Sequence, residues 1–182
     1  ARAIDVTKET NGANLTVTNL TIDCTASYCQ RGINYNTNGT LVLDGVTVKG
    51  TNLSYALNMP GSADNATVTI SNSTLKGCIA LNVWGENSEI NATNTTFTTV
   101  DNAEHEGYAA VALNNDGTTS AEGTTINIIG GAIAIEGNNA DDSSASSNAT
   151  STGVINISET TEVEGEHKVM IAIISYGDNS YS

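Results

Sequence analysis

The densest gathering of chemically capable side chains in this sequence is the stretch 99–107, which holds Asp101, Glu104, His105 and Glu106. Asp101, Glu104 and Glu106 carry carboxylate oxygens of the kind that a hard cation such as Ca2+ accepts in flexible geometry. Their spacing matches no specific calcium loop, because the pattern D-x-[DN]-x-[DN]-G is absent, and a solvated acidic loop is the simpler account. Trp84, next to Gly85, is the single tryptophan. Projecting outward it would stack on a sugar ring, whereas tucked inward it would cap a core. Ligand contact is therefore expected at Trp84, Asp101, Glu104 and Glu106, with no cofactor beyond an optional Ca2+.

What must position these residues is a phrase that recurs six times, as LTVTNLTID, LVLDGVTVK, VTISNSTLK, INATNTTFT, INIIGGAIA and INISETTEV. The phrases start at Leu15, Leu41, Val68, Ile90, Ile126 and Ile155, so the intervals are 26, 27, 22, 36 and 29 residues. A period in the twenties to thirties marks a solenoid, a propeller or an array. The first and third positions of each phrase are apolar and the second and fourth mostly polar, which is the pattern of a half-buried strand. The chain then meets Asn19, Gly45, Asn72, Asn94 or Gly130, residue types that tolerate a left-handed backbone and can turn a corner. A second short strand follows, with Ile22, Val48, Leu75, Phe97 and Ile133 pointing inward. Its outward neighbours are Thr21, Thr47, Thr74, Thr96 and Thr161, with Ala132 in the fifth unit.

A weaker third strand recurs around Ile33, Leu57, Leu81, Leu113 and Ile171. Two or three short strands per turn, joined by corners, describe an all-β parallel solenoid of about six coils. Stacked coils place equivalent residues above one another, so Asn36, Asn58, Asn82 and Asn114, with Glu136 in the fifth unit, are expected to form a column. Amide-to-amide hydrogen bonding explains such a column more simply than ligand binding does.

These units resemble the right-handed parallel β-helices of the pectate-lyase-like superfamily, which share the coil length, the short strands, the Asn-bearing turn and the inward aliphatic stacks. The resemblance spans 14–174 and rests on pattern. It implies the fold, and it leaves activity open among polysaccharide lyases, hydrolases, adhesins and tailspikes. Lyases of that superfamily use Arg or Lys as base with acidic Ca2+ ligands, and its hydrolases use clustered Asp residues. Here Asp23, Lys49 and Lys76 fall in one exposed column without a second carboxylate. Asp44 stands alone between Thr18 and Ser71, although glycoside hydrolysis needs two carboxyl groups facing one bond. His105 and His167 lie beside Glu residues with no nucleophile placed by motif. No catalytic residue is assigned. An ice-binding face would want paired Thr on every rung, and in these second strands only Thr96 with Thr98 supplies the pair.

With 20 Asp and Glu against 6 Lys and Arg, the formal charge is −14, which repels nucleic acid and anionic membranes alike. No apolar run is long enough to insert in a bilayer. Cys24 and Cys29 can form a local disulfide, whereas Cys78 lies two repeats on, roughly twice the ~4.8 Å strand spacing, and is expected as a buried thiol. The composition favours an extracellular or cell-surface setting. Residues 1–182 read as one β-helical domain, a segment of a larger extracellular protein. Its expected role is non-catalytic adhesion or carbohydrate binding to a glycan or host-surface ligand, with a lyase or hydrolase of the same fold as the alternative. The apolar 169–174 is expected to lead into further domains or to close the stack as an added strand.

Overall fold

The repeat closes into coils because each unit carries three extended segments separated by residues that bend the backbone sharply. In the computed structural model, which describes residues 1–100, 109–115, 118–137, 153–163 and 171–175, these segments build a parallel β-helix. The first coil contains β1 (Arg2–Val6), β2 (Leu15–Thr18) and β3 (Thr21–Asp23), and the second β4 (Arg31–Tyr35), β5 (Thr40–Asp44) and β6 (Thr47–Lys49). The third contains β7 (Tyr55–Met59), β8 (Thr67–Ser71) and β9 (Thr74–Gly77), and the fourth β10 (Ile79–Val83), β11 (Glu89–Thr93) and β12 (Thr96–Val100). The fifth contains β13 (Ala109–Asn115), β14 (Thr125–Ile129) and β15 (Ala132–Glu136), followed by β16 (Val154–Ile157), β17 (Glu162–Val163) and β18 (Ile171–Ser175).

Equivalent strands stack into three six-stranded sheets. Sheet A is β1-β4-β7-β10-β13-β18, sheet B runs from β2 to β16 and sheet C from β3 to β17. Neighbouring strands are parallel throughout, as in Leu41 beside Val68 and Phe97 beside Ile133. The core is a narrow column in which Leu41, Leu43, Val48, Ile70, Leu75, Ile90, Phe97 and Ile133 are almost fully buried. Sheets B and C alternate inward apolar with outward polar residues. The inner strands of sheet A do not, because both their faces are covered: β4, β7, β10 and β13 are buried almost throughout. A strand buried on both sides reads as a continuous apolar run.

The corner between sheets B and C has a positive φ at Asn19 (51°), Gly45 (64°), Asn72 (50°), Asn94 (49°) and Gly130 (64°), as their residue types required. A second such corner precedes sheet B, with positive φ at Gly12 (73°), Asn65 (56°), Asn87 (51°) and Gly123 (69°). Buried hydroxyls satisfy the backbone groups that these bends strand. Ser73 Oγ accepts from the Val46 N–H at 3.0 Å and donates to the Ser71 carbonyl at 2.6 Å. Thr124 Oγ1 accepts from the Ser88 N–H at 3.0 Å and donates to the Gly85 carbonyl at 2.7 Å, one coil away.

Two placements differ from expectation. Thr161 is buried at the corner, and Glu162 takes the outward position beside Ala132. The cause is a longer turn: three residues separate Ile128 from Ala132, and four separate their partners Ile157 and Glu162. The N-terminal segment, which has too few apolar residues to show alternation, forms β1 and pairs with β4. At the far end, β18 is an added strand of sheet A and pairs directly with β13. The lane that a sixth-coil strand before β16 would fill is therefore taken by a strand that follows β17.

Gly45→Ala tests the corner. A Cβ there would lie 2.7 Å from Asn19 Oδ1 and would occupy a left-handed backbone, so we expect a loss of about 1–2 kcal/mol in chemical denaturation. An unchanged midpoint would show that the corner relaxes freely.

Candidate functional site

Trp84 follows β10 directly, is half-buried, and donates its backbone N–H to the Met59 carbonyl at 2.8 Å. Asp101, Glu104 and Glu106 lie outside the described residues, as does His105. Their segment begins after Val100 in sheet C and ends before Ala109 in sheet A, so it is anchored at the corner from C to A. Trp84 leaves the opposite end of sheet A, roughly 17 Å away by strand rise over the five residues from Ile79. The two sequence-selected candidates thus belong to different corners. Among the described residues, no three His, Cys, Asp or Glu side chains converge as a metal-ligand set.

The expected Asn column exists with a different first member. Asn34, Asn58 and Asn82 stand in register on β4, β7 and β10. Asn82 Nδ2 donates to Asn58 Oδ1 at 2.7 Å, Asn58 to Asn34 at 2.8 Å, and Asn34 to Asp5 Oδ1 at 2.7 Å. Asn114, two residues beyond the register partner of Asn82, reaches back to Asn82 Oδ1 and the Val83 carbonyl, both at 2.9 Å. All four asparagines are buried, so the ladder is structural. Asn36 is not part of it, because it lies beyond the end of β4, and its buried Oδ1 has no hydrogen-bond partner. Glu136 belongs to sheet C and pairs with Lys76.

Asp5 supplies the final acceptor of the ladder. The hydrogen bond from Arg2 at 2.8 Å is the main cause of its lowered pKa; partial burial opposes the shift, and the Asn34 bond assists it. An anion is tolerated there because a guanidinium lies beside it.

The outer face of sheet B is open. Its rungs read Thr16 and Thr18; Thr40, Val42 and Asp44; Thr67, Thr69 and Ser71; Glu89, Asn91 and Thr93; Thr125, Asn127 and Ile129; Val154 and Asn156. Asn156 Nδ2 donates to Asn127 Oδ1 and Asn127 Nδ2 to Asn91 Oδ1, both at 2.8 Å, which forms a second, partly exposed amide ladder. Asp44 accepts from Ser71 at 2.7 Å and Asn72 at 2.9 Å; these bonds, Ser71 first, lower its pKa. Asp44 and Glu89 are two rungs and four residues apart, roughly 16 Å from strand spacing and rise. Glycoside hydrolysis needs ~5–9.5 Å. Those two carboxylates also interrupt the hydroxyl pattern that an ice-ordering face would need.

The third region is the C-to-A corner of the first coils. Cys24 and Cys29 form a disulfide that closes the loop Thr25, Ala26, Ser27 and Tyr28. Asp23 Oδ1 accepts from the Thr25 N–H and hydroxyl, and these bonds lower its pKa, with a smaller contribution from Lys49. Cys78 is a buried thiol whose pKa is pushed up to about 11 by burial, so it is inert as a nucleophile. Asp23, Lys49 and Lys76 form the expected column. The disulfide loop had a sequence signal in the Cys spacing; the open sheet B face had one in the polar positions of the phrase.

No protein-family model matches the chain, and no curated protein or solved structure matches it.

Removing one rung of the buried ladder strands two groups, the Asn34 acceptor and the Asn82 donor. Asn58→Ala should therefore cost about 2–4 kcal/mol in urea denaturation, at roughly 1–3 kcal/mol per unsatisfied group. A cost well below 1 kcal/mol would mean that water replaces the amide. Asp5 makes a pH prediction. Its folded pKa lies below the unfolded value near 3.8, so its contribution is full above about pH 4 and is lost as pH falls through the lower folded value. Asp5→Asn keeps the acceptor for Asn34 and removes the titration. Between pH 5 and 2 its urea midpoint should fall less than that of the parent, and parallel curves would refute the assignment.

Proposed function

We propose that this β-helix is a non-catalytic recognition module of a secreted or surface-attached protein, of the pectate-lyase-like kind, and that it binds carbohydrate through the outer face of sheet B. The observation that carries this reading is the face itself: successive rungs expose Thr hydroxyls and Asn amides on a rigid, hydrogen-bonded backbone. Sugar hydroxyls are both donors and acceptors, and Thr and Asn side chains match them in both roles. A surface already ordered by strand pairing loses little side-chain freedom on binding, which favours affinity from many weak contacts. The Cys24–Cys29 disulfide supports an oxidising, extracytoplasmic setting, and further domains of the same protein would be joined through the ends of the stack.

A panel of neutral and acidic polysaccharides tests the reading by affinity electrophoresis together with an assay for released reducing ends. We expect retardation without cleavage. The double variant Thr67→Ala, Thr69→Ala removes two exposed hydroxyls without touching the core, and should weaken binding about tenfold, at ~0.5–1.5 kcal/mol per lost hydrogen bond. Retardation by none of the polysaccharides would sink the carbohydrate reading, and progressive cleavage would replace it with an enzymatic one.

A further inference from the structure

The basic residues of this acidic chain are not scattered. Of Arg2, Lys8, Arg31, Lys49, Lys76 and Lys168, four flank the C-to-A corner of the first three coils. Arg2 and Arg31 are register partners at the start of sheet A strands, and Lys49 and Lys76 are partners at or near the end of sheet C strands. Two of the four are neutralised, Arg2 by Asp5 and Lys76 by Glu136. Arg31 and Lys49 have no carboxylate within ion-pair distance among the described residues. Arg31 lies over the Tyr55 ring, 5.9 Å from its centroid, and its buried Nε makes no hydrogen bond. That ring contact fixes the guanidinium without cancelling its charge.

The same corner displays the most exposed large apolar side chain among the described residues. Tyr28 is 72% exposed in the disulfide-closed loop, next to Cys29. The loop is held at both ends: the Cys29 N–H donates to the Ala26 carbonyl at 2.8 Å, and Asp23 caps Thr25 at 2.6 Å. An aromatic ring on a stapled loop contributes a large contact area at low entropic cost. Tyr28 lies on the loop that joins Asp23, the register partner of Lys49, to Arg31, so the ring shares a corner with two cations that make no direct ion pair among the described residues, although Lys49 acts on Asp23 and Arg31 on Asp5 at longer range. A ring and cations at one corner suit one sugar residue bearing a negative charge, and a single platform does not track a polymer.

We propose that the corner formed by Tyr28, Arg31 and Lys49 is a separate binding site for a single acidic sugar residue, one carrying a ring carboxylate or sulfate, with the ring stacked on Tyr28 and the anion facing the two cations. The proposal rests on the carbohydrate reading above and uses a different surface from sheet B. The anion meets the positive part of a chain whose net charge is −14, so charge selects both the ligand and the place.

Isothermal titration of the intact chain at low salt with sialyl-lactose, a sulfated disaccharide and lactose tests it, and the first two arms separate carboxylate from sulfate. We expect one or both acidic sugars to bind and lactose not to. Tyr28→Ala should weaken that binding about tenfold and Tyr28→Phe little. Lys49→Gln should weaken it about threefold, and added salt should weaken it further. The site is overturned if neither acidic sugar binds, if lactose binds equally, or if Tyr28→Ala and Lys49→Gln leave affinity unchanged. It is also overturned in favour of a protein partner if a sialylated glycoprotein binds with the same Tyr28 dependence after its sialic acid is removed. Polysaccharide retardation lost on Thr67→Ala, Thr69→Ala alongside any of these outcomes leaves the sheet B reading standing, whereas failure of every sugar removes both.

Discussion

Everything in this protein follows from the parallel, in-register hydrogen bonding of one coil on the next. Strands in register ~4.8 Å apart place like positions in contact along the whole axis. A side chain must therefore tolerate a neighbour of its own kind directly above it. Aliphatics satisfy this inside, and Asn or Gly satisfies it at the left-handed corners. In the buried lane of sheet A, Asn is well suited, because its amide both donates and accepts along the axis and carries no charge. A column of carboxylates would repel itself. Asp5, the last member of the column among the described residues, is accommodated because Arg2 lies beside it.

That constraint also explains which parts of the structure the sequence displayed. Sheets B and C are half-buried, so their period-two pattern and the Asn or Gly after it mark strand and corner together. Sheet A is buried on both faces, and the segment GINYN offers an Asn at Asn34 and again at Asn36. With no alternation to fix the phase, either residue fits a column, and only the register with Asn58 selects Asn34. The corner at Gly12, Asn65, Asn87 and Gly123, by contrast, had a legible signal in an Asn or Gly at a fixed offset. It stands three residues before the phrase start at Leu15, Val68, Ile90 and Ile126, so it keeps the phase of the repeat although it lies outside the phrase itself. The position of β18 beside β13 is a non-local choice, made because sheet A offers an unpaired edge, and no local signal encodes it.

The candidate surfaces divide along the same line. Side chains on the open face of sheet B inherit their spacing from the backbone, so recognition there is distributed and regular. Residues at the corners escape the repeat, and there single side chains such as Trp84 and Tyr28 can have individual roles. How far each projects depends on what the loop packs against, which is why Trp84 could be placed at a strand end from sequence while its half-burial could not.

Among the described residues the first coil is packed on one side only, and there Ile4, Val6 and Leu15 are partly exposed. A coil packed on one side has fewer contacts than one packed on both, and a loop borne on it would lose definition first. The disulfide lies in that first coil. Closing a loop as short as Cys24 to Cys29 limits the unfolded chain by about 2 kcal/mol in the loop-entropy view, which offsets part of the missing contact. Asp23 accepting from Thr25 and Arg2 pairing with Asp5 add local order in the same coil. Reinforcement is thus concentrated where stacking is thinnest and where Tyr28 is most exposed, so the loop can be rigid without being buried.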